Sequence, residues 1–116
     1  MEKENYPLDL GYLDEVAGGD ITFKKELIKI FLQQVPIFVE NMKKFQDEND
    51  LESLAKEAHT AKSSVLIFGM EETGANLKKI QLLAEENQAG QIPELLQKAI
   101  NDMQEIMGPL QQFMES

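Results

Sequence analysis

The sequence predicts an all-α domain, an up-down-up-down four-helix bundle preceded by a short additional helix. Three observations predict it. In four separate stretches, apolar residues recur at helical spacing, each the stripe of an amphipathic helix. The connections between these stretches are short, which makes successive helices antiparallel neighbours. No alternating strand pattern, hairpin signal, internal repeat or low-complexity tract interrupts them.

In chain order, residues 1 to 7 are polar and end at Pro7, which favours an extended residue before it. A short helix is expected from about Leu8 to Val16, stopped by Gly18-Gly19. Asp20 then serves as N-cap, its carboxylate free to accept from the exposed amides of the next first turn. Phe23, Leu27, Ile30, Phe31, Val35, Phe38, Met42 and Phe45 mark the stripe of a long helix reaching about Asp47. Pro36 lies inside it. A kink near Gln33 to Pro36 is expected, but not a stop, because the stripe continues in phase beyond the proline.

The polar run Asp47-Glu48-Asn49-Asp50 reads as a turn, with Asp50 capping a helix that ends at Gly69 or passes into the next after a short break. Another helix is expected from about Glu71 to Gln88, with Leu77, Ile80, Leu83 and Ala84 inward and acidic residues at its dipole-favoured start. Ala89-Gly90 ends it, and Pro93 opens the last helix, where its missing N–H is not needed. Leu95, Leu96, Ala99, Ile100, Met103, Ile106, Met107, Leu110 and Phe113 form its stripe, and Gly108-Pro109 should bend or fray it.

At 116 residues the chain is read as one domain over 1–116, long enough for a single core. With 42% hydrophobic and 28% charged residues it has the composition of a globular protein. A net charge of -10, with only 11 Lys and Arg, argues against a nucleic-acid partner, since phosphate binding needs a basic face. There are no cysteines, which removes disulfides and thiolate chemistry. No run of about 18 apolar residues and no signal-like leader is present, so no membrane association and a cytoplasmic location are expected.

The segment from Ala55 to Gly69 holds the only histidine. Leu51, Leu54, Ala58, Ala61, Val65 and Phe68 form the inward seam of its helix, within an arc of roughly 100° at about 100° per residue. His59 lies on the order of 130° from the middle of that arc, so the imidazole points away from the core. Ala55, Lys56, Lys62, Ser63 and Leu66 share its flank, one turn away in either direction. Taken alone, one histidine on a helix surface is a solvated polar residue.

The run His59-Thr60-Ala61-Lys62-Ser63-Ser64, followed by Gly69, resembles the signature of histidine-containing phosphotransfer domains. That signature is His, often Ser or Thr, any residue, Lys, two small residues, then Gly at the helix end. Leu13 to Asp20, with Phe23 and Phe31, is similar to the family's opening segment, in which a Gly-Gly-Asp turn introduces the first long helix. The resemblance covers nearly the whole chain and implies the bundle predicted above.

It also implies a function. A ring nitrogen of His59, Nε2, would take a phosphoryl group from an aspartyl-phosphate on a response-regulator receiver domain and pass it to another receiver aspartate. A neutral imidazole is a competent nucleophile near pH 7 and needs no base to strip a proton from the attacking nitrogen. Lys62 would offset the phosphoryl charge. Ser63 departs from the family's usual glycine, a small change whose hydroxyl could hydrogen-bond a phosphoryl oxygen. Gln81 is the candidate for the family's Gln or Glu that bonds the second ring nitrogen and fixes the tautomer. No cofactor is expected in this chain, since the Mg²⁺ for transfer would sit in the receiver's acidic pocket. The implied partners are receiver domains and a hybrid sensor histidine kinase.

Competing classes are weaker. The sequence has no glycine loop of Walker or kinase type, so it is not read as an enzyme with kinase activity. A docking or scaffold module of the same fold, never phosphorylated, is the alternative; loss of the His or Lys would have favoured it. A di-iron bundle needs two Glu-x-x-His pairs, and one histidine excludes it. For general-base catalysis, Glu52 and Glu57 share no good turn-face with His59, and an exposed helix face offers no enclosed pocket.

Overall fold

A computed structural model describes residues 11–115. Within them lie five helices and no strand: α1 (Gly11–Ala17), α2 (Ile21–Asp47), α3 (Leu51–Ile67), α4 (Glu71–Glu85) and α5 (Ile92–Glu115). Pro7 and the expected start of the first helix at Leu8 lie outside the described residues. Among the described residues, no helix is long and apolar enough to cross a membrane.

The first four helices end in the same way, and this sets the connections. At each end one residue takes the left-handed conformation, namely Gly18, Asn49, Gly69 and Asn87, with φ of 63°, 53°, 75° and 59°. The amide of the following residue then reaches back five positions, as in Asp50 N–H to the Phe45 carbonyl at 2.8 Å, Met70 to Val65 at 3.2 Å and Gln88 to Leu83 at 2.8 Å. Carbonyls that the helix end would orphan are thereby satisfied, and the chain reverses within a few residues. The asparagine at 87 corrects one boundary. The helix expected to reach Gln88 stops at Glu85, because Asn87 supplies the left-handed cap before Gly90 is reached.

Both aspartate caps form. Asp20 accepts from the amides of Thr22 at 2.9 Å and Phe23 at 3.2 Å, and Asp50 from Ser53 at 3.2 Å. The Ser53 bonds hold the Asp50 carboxyl below its ordinary value, with the charge of Lys56 adding to them. A carboxyl whose pKa is lower folded than unfolded adds stability that is present above the unfolded value, 3.8 here, and lost as pH falls through the folded value. Acid titration of unfolding should therefore show a steeper loss below about pH 3.8 for wild type than for Asp50→Asn, which caps without titrating. Parallel curves in that window would contradict it.

Pro36 and Pro109 each sit inside a continuous helix. α2 runs through Pro36, and α5 runs through Pro109 to Glu115 without the fraying expected after Gly108. The stripe of α2 needs a second correction. Phe23 and Ile30, expected inward, are exposed, while Ile28 and Val39 are buried beside Phe31, Val35, Phe38 and Met42. Two registers of apolar residues run along α2, and the neighbours select the one centred on Ile28, Phe31, Val35 and Met42. Leu83 of α4 and Leu95 and Phe113 of α5 lie at the margin of the core, half-buried.

The long helices pack in a closed cycle, α2 on α3, α3 on α4, α4 on α5 and α5 on α2, with α1 against α2. Side-chain pairs fix the register. Ser64 donates to Gln34 at 3.3 Å and Asn41 to Glu57 at 3.1 Å, so α3 descends as α2 ascends. Lys24 of α2 ion-pairs with Asp14 of α1 and lies over the Phe113 ring of α5, 4.8 Å from its centroid. At the start of α4, Thr73 donates to the buried Asp102 of α5 at 3.1 Å. Lys98 also bonds that carboxylate, which raises the lysine's pKa.

Candidate functional site

The site grows from the seam of α3. Leu54, Ala58, Ala61, Val65 and Phe68 are buried, and that fixes the rotation of the helix about its axis. His59, between Ala58 and Thr60, is therefore turned out, and it is exposed. Ala55, expected on the histidine's open flank, is instead 5% exposed, because α4 packs close to α3 along that edge. Small residues allow the approach. Leu66 of α3 lies over Gly74 of α4, where an added Cβ would meet Leu66 Cδ2 at 2.6 Å.

Seven residues before Leu66 in α3, and seven after Gly74 in α4, the same antiparallel register brings His59 opposite Gln81. His59 Nδ1 lies 3.2 Å from Gln81 Oε1, and Gln81 Nε2 donates to Glu85 Oε2 at 3.0 Å. A carboxylate only accepts, so the amide nitrogen must face Glu85 and the amide oxygen must face the ring. An oxygen only accepts as well. Nδ1 therefore carries the proton in the neutral ring, and the lone pair of Nε2 is left for an incoming group.

His59, Gln81 and Glu85 line an open groove with Ala55, Lys56 and Thr60. Lys56 lies 3.7 Å from Glu52, and the Thr60 hydroxyl donates to the Lys56 carbonyl at 3.1 Å. On the other side of the histidine, Ser63 donates to the His59 carbonyl at 3.3 Å, so its hydroxyl proton is held within the helix and would have to rotate to reach a ligand. Lys62 is half-buried, one turn from His59 on the same helix. Among the described residues it has neither a hydrogen bond nor an ion pair. A cation so placed is available to an incoming anion. No group of three or more His, Cys, Asp or Glu among the described residues is arranged to hold a metal ion.

Of the four residues singled out in the sequence, the structure brings His59 and Gln81 into contact and sets Lys62 and Ser63 one turn along the same helix. Glu85 was missed. Its signal was present, since residues four apart on a helix are surface neighbours and Gln81 to Glu85 is that spacing.

Comparison with known proteins gives two matches. The family model described as Hpt domain matches residues 26–113. The crystal structure of histidine-containing phosphotransfer protein B from Pseudomonas aeruginosa PAO1 superposes with a TM-score of 0.86, covering 96% of this chain and 97% of that one. Sequence identity is 15%, so that likeness speaks to the fold alone. No curated protein matches.

Proposed function

Because this chain belongs to the Hpt domain family, in which phosphorelay and two-component signalling are the common context, we propose that it is a phosphorelay intermediate and that His59 is its phosphoryl carrier. The observation that carries the reading is the pairing of His59 Nδ1 with Gln81 Oε1 on an exposed helix face. Nε2 attacks the phosphorus of a receiver aspartyl-phosphate, the N–P bond forms as the bond to the aspartate oxygen breaks, and the carboxylate leaves with its electron pair. The ring, protonated on Nδ1, holds the resulting positive charge against Gln81. The reverse reaction on a second receiver returns the neutral imidazole.

The rest of the arrangement supports that chemistry. We read the long helices as an up-down-up-down four-helix bundle with α1 at one end, and residues 1–116 as one domain. Such a bundle is a rigid post carrying an imidazole that a partner can approach in line. Catalysis is then positioning and charge neutralisation, with Mg²⁺ and its acidic ligands supplied by the receiver and no cofactor in this chain. The chain has no kinase activity of its own, acts in the cytoplasm, and meets receiver domains and a hybrid sensor kinase. Lys62 faces the phosphoryl oxygens as they arrive.

The test is a transfer time course from an aspartyl-phosphorylated receiver to wild type and to Lys62→Ala. Wild type should accept the label. Lys62→Ala should accept it roughly tenfold more slowly, the worth of one hydrogen bond to a charged group. Equal rates would remove Lys62 from the mechanism.

A further inference from the structure

We propose that Glu85 is a positioning residue that selects which nitrogen of His59 attacks, acting through Gln81. The inference rests on the phosphoryl-carrier reading for its purpose, though not for its geometry. A glutamine amide presents an oxygen or an NH₂ group in nearly the same shape, so Gln81 by itself does not choose a tautomer. The choice comes from its second contact. Gln81 Nε2 donates to Glu85 Oε2 at 3.0 Å, and this turns Oε1 toward His59 Nδ1 at 3.2 Å. With the amide reversed, its NH₂ would face Nδ1, which would then have to accept. The proton would move to Nε2, and the lone pair that attacks would be lost.

No other described group on the groove competes for the ring. The Thr60 hydroxyl donates to the Lys56 carbonyl, and Lys56 pairs with Glu52. Glu85 is exposed, four residues beyond Gln81 on the same face of α4. A carboxylate on this rim also repels an arriving phosphoryl group. Its effect through the amide and its effect through charge therefore have opposite signs, which makes them separable.

The discriminating substitution is Glu85→Lys. An ammonium only donates, so it would take Gln81 Oε1, turn the NH₂ toward Nδ1 and move the proton to Nε2. Through charge alone the same lysine would favour transfer. The experiment is long-range ¹H–¹⁵N spectroscopy of the ¹⁵N-labelled, unphosphorylated full chain at a pH where the ring is neutral, comparing wild type, Glu85→Lys, Gln81→Ala and the double variant. Wild type should be the Nδ1–H form. Glu85→Lys should shift the tautomer ratio toward Nε2–H by about fivefold or more, the worth of one hydrogen bond. In the Gln81→Ala background the same lysine should change nothing, since the amide that relays it is gone.

An unchanged ratio in Glu85→Lys, or an equal shift with and without Gln81, would overturn the proposal. The measurement involves no phosphoryl transfer. A chain that never accepts phosphate could still show the shift, and a working carrier could lack it, so failure of this inference and failure of the carrier reading are distinguishable.

Discussion

His59→Gln should take up no acid-labile, base-stable phosphoryl label from any receiver that labels the wild type, and should unfold at the wild-type denaturant midpoint. The two halves follow from one fact. The imidazole is exposed and contributes nothing to the buried seam of α3, so glutamine, comparable in length and polar, leaves the packing alone. What it removes is the only imidazole in the chain, and an amide nitrogen has no basic lone pair to attack phosphorus. The loss should therefore be complete. Residual labelling at the wild-type rate would place the acceptor elsewhere, and a large fall in stability would mean that the ring is part of the core.

The second large effect is on stability. Phe31 is 1% exposed, and its ring stacks on Phe68 with centroids 4.3 Å apart and planes 26° from parallel. Phe68 is the C-cap of α3, so this contact ties the middle of α2 to the end of the helix that carries His59. Phe31→Ala should cost about 3–5 kcal/mol, the sum of lost transfer free energy and the cavity left behind. Against a total of about 5–15 kcal/mol for a domain, that brings the chain close to unfolding. Urea denaturation should show the midpoint falling with the slope unchanged. A cost below about 1 kcal/mol would mean that neighbouring side chains collapse into the space.

Much of this was legible in the sequence, for local reasons. Asp20 and Asp50 could be placed as caps because a carboxylate before an apolar run has one evident partner, the free amides of the next turn. The outward turn of His59 followed from the six-residue seam of α3, whose members were few and strictly spaced. α2 was harder. It carries more apolar residues than one face can bury, and only its neighbours decide that Ile28 and Val39 go in while Phe23 and Ile30 stay out.

The end of α4 was misplaced because the stop was assigned to Ala89-Gly90, whereas Asn87 adopts the left-handed cap three residues earlier. Glu85 escaped notice although it lies four residues beyond Gln81, because that spacing gains a meaning only once the α3 to α4 register sets Gln81 opposite His59.

The most direct test of the carrier role is to mix wild type with an aspartyl-phosphorylated receiver from the same organism and locate the phosphoryl group by peptide mapping and ³¹P spectroscopy. One phosphoryl group on His59, bonded to Nε2, labile in acid and stable in base, is the predicted result. Receivers that bind the chain yet never transfer, or a label on another residue, would contradict it and leave the bundle as a docking module.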